Sequence, residues 1–109
     1  MVDQPILSEL SPTPNVPTLL YTVGNSSTVT GTIFCMNQSN NDDFVGVALV
    51  PNASVLSNTM WIAFNTKIYH GQNLYLQQIY LNSGDSVWVS SQHGTSNFIF
   101  NGLENPTIV

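Results

Sequence analysis

The segment Thr28-Val29-Thr30-Gly31-Thr32-Ile33-Phe34-Cys35-Met36-Asn37 decides the fold. Val29, Gly31, Ile33 and Cys35 fall on one face of an extended chain, and Thr28, Thr30 and Thr32 fall on the other. Side chains alternate across a strand with a period of two, so this pattern predicts a half-buried β-strand. Working outward, Gly24-Asn25-Ser26 ends a shorter strand over residues 19–23, and the Asn- and Asp-rich run 38–43 turns the chain into another over 44–50. Pro51-Asn52 stops that one. A loop with room for one helical turn spans 53–59.

The same grammar continues to the end. Residues 60–64 and 67–69 read as one interrupted strand or two, closed by His70-Gly71. Residues 73–81 and 86–91 flank the turn Asn82-Ser83-Gly84-Asp85, and 98–103 completes the set. Nowhere do apolar residues recur at i, i+3, i+4 and i+7 over the length a helix needs. Seven to eight short strands with turn signals between them predict an all-β protein, an antiparallel β-sandwich of jelly-roll-like type. The expected organisation is an extended N-terminal arm over 1–18, a sandwich domain over 19–104 and a C-terminal tail over 105–109.

Composition narrows the function. The 109 residues hold one lysine, Lys67, and no arginine, with a formal charge of −5. Nucleic-acid binding needs cations to displace counterions from phosphates, so a nucleic-acid partner is excluded. An anionic membrane surface is excluded for the same reason, and no apolar run approaches the roughly 20 residues that span a bilayer as a helix. Met1-Val2-Asp3-Gln4-Pro5 has no basic region followed by an apolar one, so no secretory signal is expected. Charged residues are 6% of the chain, so Asn, Ser, Thr and Gln must cover the surface. A neutral polar surface does not repel copies of itself, which suits packing into a large assembly.

The first 18 residues carry Pro5, Pro12, Pro14 and Pro17, which forbid a regular helix. Ile6, Leu7, Leu10 and Val16 lie on this extended arm and need a groove to cover them. A groove on a neighbouring subunit is the expectation, with one on the same subunit as the alternative.

No catalytic constellation is visible. The lone Cys35 lies in an apolar run and reads as a buried core residue. His70 and His93 each precede a glycine and read as turn residues, without the ligand spacing of a zinc site. Asn40-Asn41-Asp42-Asp43 reads as a solvated turn, and Asp85 as a residue that closes a turn through its own backbone. The sequons at Asn25, Asn37 and Asn52 are expected to go unused. No metal, cofactor or enzymatic activity is expected. Trp61, Tyr69, Tyr75 and Trp88 alternate with apparent core residues and therefore point outward. Outward aromatics anchor subunit interfaces, so these four join the arm residues as candidate contacts. The alternatives are ordinary core packing, with both faces of the sheet buried within one subunit, and a platform for sugar rings.

Several landmarks resemble the small all-β virion structural proteins of tailed bacteriophages, including phages of cyanobacteria. These are Leu20-Tyr21-Thr22-Val23, Ile33-Phe34-Cys35-Met36-Asn37 and Val45-Gly46-Val47-Ala48-Leu49-Val50, then Leu81-Asn82-Ser83-Gly84-Asp85-Ser86-Val87-Trp88-Val89 and Phe98-Ile99-Phe100-Asn101-Gly102-Leu103-Glu104. Together they reach across residues 19–104. The resemblance implies a noncatalytic role on the outer surface of a virion assembled in the host cytoplasm, most of all as a head decoration (cement) protein. Its implied partners are the major capsid protein or other virion proteins and further copies of itself, with a trimer favoured. A tail, baseplate or fibre subunit is the alternative within the particle. A carbohydrate-binding β-sandwich that uses Trp61 or Trp88 for stacking is the alternative of another class.

Overall fold

The computed structural model describes residues 4–106. Eight strands form two four-stranded antiparallel sheets: β1 (Gln4–Leu10), β2 (Thr18–Thr22), β3 (Ser27–Asn37), β4 (Asp43–Val50), β5 (Trp61–Ile68), β6 (Asn73–Leu81), β7 (Ser86–Ser91) and β8 (Ser96–Pro106). Sheet A has the order β1-β8-β3-β6 and sheet B the order β2-β7-β4-β5. The chain is an all-β sandwich, as its alternation requires. One 3₁₀ turn, Asn58–Met60, lies in the loop before β5. Among the described residues no helix is long and apolar enough to cross a membrane.

β3 behaves as its sequence demands. Val29, Gly31, Ile33 and Cys35 are buried between the sheets, while Thr30 is exposed and Thr28, Thr32 and Phe34 are part-exposed. Phe98 and Phe100 lie beside them on β8, and Val45, Val47, Val87 and Val89 face them from sheet B to complete a core of β-branched and aromatic side chains. Two glycines meet at the middle of sheet A, where Gly31 pairs with Gly102. A Cβ on Gly102 would come within 2.6 Å of the Thr30 carbonyl oxygen, and one on Gly31 within 2.8 Å of the Asn101 carbonyl oxygen. Only glycine lets these two backbones close in.

Gln4–Leu10 pairs within its own chain, from Gln4↔Glu104 to Leu10↔Phe98, which for Ile6 and Leu10 is the same-subunit alternative, while Leu7 and Val16 remain exposed. The reason is the exposed edge of β8, whose unpaired amides and carbonyls are satisfied by a strand from the same chain. Ile6 and Leu10 pack against the core, and Ser8 Oγ donates to the Leu20 carbonyl across 2.6 Å, tying the two sheets together. The prolines act in the connection that follows. Thr13-Pro14-Asn15-Val16 forms a turn closed by Val16 N–H to Thr13 O at 3.1 Å, with Asn15 at φ 59°. Proline at the second position and a left-handed third residue are the demands of a type II turn.

The C-terminal boundary also moves. β8 runs on to Pro106, with Asn105 opposite Thr28 and Pro106 opposite Ser27. The Ser83 hydroxyl accepts from Ser27 N–H at 3.0 Å and donates to Ser27 C=O at 2.7 Å, so the end of the ladder is closed by a side chain. The rest of the expected tail lies outside the described residues.

Candidate functional site: the outer faces of the two sheets

Sheet B presents an aromatic outer face. Ala48 pairs with Trp88 on one side and Trp61 on the other, so both indoles lie in one row. Trp61 covers Gly46, where an added Cβ would meet the ring at 2.8 Å. Trp88 Nε1 donates to Ser86 Oγ at 3.0 Å, which satisfies the indole N–H without solvent. Phe64 packs edge-on against Trp61 with ring centroids 5.8 Å apart, yet remains 69% exposed. A bulge at Asn65 (φ 51°) resets the alternation of β5, so that Phe64 and Lys67 emerge on this face while Ala63 and Thr66 turn inward. Lys67 lies 3.4 Å from the Asp42 carboxylate and 4.9 Å from the Tyr69 ring centre. Leu19, beside Trp88, extends the exposed apolar row across the sheet.

Tyr75 belongs to the opposite side of the molecule. It pairs with Phe34 on the outer face of sheet A, edge to face at 5.6 Å. A groove of about 450 Å³ opens beside it, lined by Thr30, Thr32, Gln77, Gln78, Asn101 and Leu103 above the Gly31–Gly102 backbone. A second hollow of about 330 Å³ shares Thr32, Tyr75 and Asn101 and continues toward Phe34 and Ile99. β6 is bulged here: Gly31 pairs with Ile79, but Ile33 pairs with Leu76, so Gln77 and Gln78 together stand opposite Thr32. Gln78 adopts φ 60° to allow it.

The predicted contact residues thus divide. Trp61, Trp88 and Tyr69 gather on the sheet B side. Tyr75 and Leu7 lie on the outer face of sheet A, Leu7 opposite Asn101. Ile6 and Leu10 are part of the core packing, and Val16 is exposed on the turn after β1.

One reading of the turn at 40–43 is corrected. Asp43 is not solvated; it opens β4 and is fully buried. Burial pushes its carboxyl pKa up, but hydroxyls of Ser91 and Ser96 and the amides of His93 and Phe44 outweigh this and hold it below its ordinary value. Ser91 Oγ and Ser96 Oγ both donate to Oδ2, and His93 N–H donates to Oδ1 at 3.0 Å. Asn37 stands nearby in the same end of the sandwich. Its amide donates to Asn41 O at 2.7 Å and Ile68 O at 3.1 Å, and its oxygen accepts from Ser39 and Thr95. A buried side chain with every valence engaged is closed to glycosylation, whatever its sequon.

Asp85 acts as expected, accepting from Asn82 N–H at 2.8 Å and also reaching Asn52 N–H at 2.9 Å. Cys35 is buried, and burial, with the Asp43 charge adding to it, pushes its thiol up to about 12 against a smaller opposing effect of Ser96. His70 and His93 sit in exposed turns. Among the described residues no three His, Cys, Asp or Glu side chains converge as a metal would require.

The sequence missed Gln77, Gln78 and Asn101 as site residues. The signal for the first two was present: in Tyr75-Leu76-Gln77-Gln78-Ile79-Tyr80, two polar residues stand where strict alternation allows one. No protein-family model, curated protein or solved structure matches the chain.

Proposed function

We propose that this chain is a noncatalytic structural protein of a bacteriophage particle, seated on the outside of the head as a decoration protein. It would act by pressing the aromatic face of sheet B against capsid subunits or sister copies. The observation that carries this reading is that face itself: Trp61, Phe64, Trp88 and Leu19 form one continuous apolar surface on a chain with only 6% charged residues. Apolar area of this kind gains roughly 25 cal/mol per Å² when covered. Interfaces are anchored by such aromatics inside a polar rim.

The connectivity supports the same reading. Strands pair as β1-β8, β2-β7, β3-β6 and β4-β5, a nested set that folds like one long ribbon rolled over itself. On this reading the winding is of jelly-roll type, an architecture of viral capsid domains among others. Fold alone does not assign function, so the aromatic face, and not the winding, carries the reading.

The test is a count and a variant. Quantitative mass spectrometry of intact particles would give copies per virion; hundreds favour the head, and about 3–12 favour the tail alternative. Phe64→Asp and Leu19→Asp change exposed side chains and leave the core alone. The expected result is a folded protein that no longer joins the particle. Full incorporation of both variants, or absence of the chain from purified particles, would overturn the proposal.

A further inference from the structure

We infer that the groove on the outer face of sheet A binds a neutral saccharide chain. This goes beyond the virion role and does not depend on it, since the site is built within one chain.

The lining is the first argument. Thr30, Thr32, Gln77, Gln78 and Asn101 offer hydroxyl and amide groups, and Tyr75 adds an aromatic ring that is 56% exposed. No carboxylate and no cation lines the groove. A charged ligand would find no counter-charge there, so acidic sugars, phosphates and metal ions are disfavoured. A ligand of many neutral hydroxyls matches amides that donate and accept at once. Its ring C–H faces match an aromatic side chain with an apolar body and a polar tip.

Availability is the second argument. Among the described residues, the side chains of Thr30, Thr32, Gln77, Gln78 and Asn101 make no hydrogen bond to other protein groups. Elsewhere the molecule spends its Asn and Ser side chains on internal bonds, as at Asn37, Ser83 and Ser91. Five unengaged polar side chains around one hollow are a set of free donors and acceptors.

The backbone is the third argument. The bulge in β6 turns Gln77 and Gln78 together toward Thr32, while Ile79 is kept in the core against Gly31. A left-handed glutamine costs free energy that the strand could avoid by plain alternation. The cost places two amides, rather than one, beside Tyr75. The Gly31–Gly102 backbone forms the floor between them. The adjoining hollow toward Phe34 and Ile99 lengthens the trough, which suits a chain of sugars better than a single ring.

The full chain, fluorescently labelled, would be applied to an array of neutral and acidic oligosaccharides, and the best neutral ligand titrated into ¹⁵N-labelled protein. We expect binding to neutral glycans, with shifts at the Gln77, Gln78 and Asn101 amides and at Gly31 and Gly102. Tyr75→Ala and Asn101→Ala alter exposed side chains, and each should weaken binding about tenfold or more with the rest of the spectrum unchanged. Binding to no neutral glycan, binding to acidic glycans only, shifts confined to the Trp61–Trp88 face, or full affinity in both variants would each overturn the inference. None of these results bears on whether the chain joins a particle.

Discussion

Ser96 Oγ donates a hydrogen bond of 2.6 Å to the Asp43 carboxylate, joining the first residues of β8 and β4 in the closed interior of the sandwich. Ser91 donates to the same oxygen from the end of β7. An anion is thereby held in place by hydroxyls and amides, without a cation. Such a group is stable only while all its donors are present.

Asp43 therefore sets the acid limit of the fold. Its folded pKa lies below its ordinary value, so its contribution is complete above the unfolded pKa and is lost as pH falls through the folded one. Stability measured by urea denaturation should stay level from pH 7 to about 5 and fall below about 4. Asp43→Ala removes the acceptor of the Ser91 and Ser96 hydroxyls and the His93 amide, among others, and should cost about 2–4 kcal/mol at neutral pH. Asp43→Asn should cost less and flatten the acid limb. An acid limb unchanged in Asp43→Asn would refute the assignment.

Cys35 should be inert in the folded protein. With its thiol pushed up to about 12, the thiolate fraction at pH 8 is roughly 10⁻⁴, against about a quarter for a free thiol. Iodoacetamide labelling followed by mass spectrometry should be at least about a thousandfold slower in buffer than in urea. Comparable rates would mean that the strand opens readily.

The paired glycines make a further test. Gly31→Ala and Gly102→Ala each drive a methyl into the opposite strand's backbone and should destabilise by about 1–3 kcal/mol. Gly71→Ala, where no atom lies within 4 Å but φ is +72°, should cost only about 1 kcal/mol. Thermal unfolding of the three variants would rank them. Equal costs would show that conformational preference, rather than close approach, governs β3 and β8.

Removal of residues 1–10 should expose the β8 edge. Ile6 and Leu10 leave the core, at roughly 1.5 kcal/mol each, and a row of backbone groups is left unpaired. The expected outcome is a lower urea midpoint together with concentration-dependent association in light scattering. A synthetic Gln4–Leu10 peptide should reverse both. An undiminished, monomeric truncated chain would show that β1 contributes nothing to the fold.

Strand identity was legible in the sequence because alternation is a local property. The Val29-to-Cys35 series, the turn at Asp85 and the outward Trp61 and Trp88 follow from the pleat alone, residue by residue. Three decisions belonged to the tertiary structure, and each depends on partners distant in sequence. Gln4–Leu10 became a strand because β8 offered an unpaired edge; Asp43 became a buried anion because Ser91, His93 and Ser96 arrive around it; and Tyr75 was separated from Trp61 and Trp88 because β6 and β5 joined different sheets. A period of two tells which way a side chain points from its own strand. It carries no information about which sheet the strand joins, since that choice is made by hydrogen bonds between segments far apart along the chain.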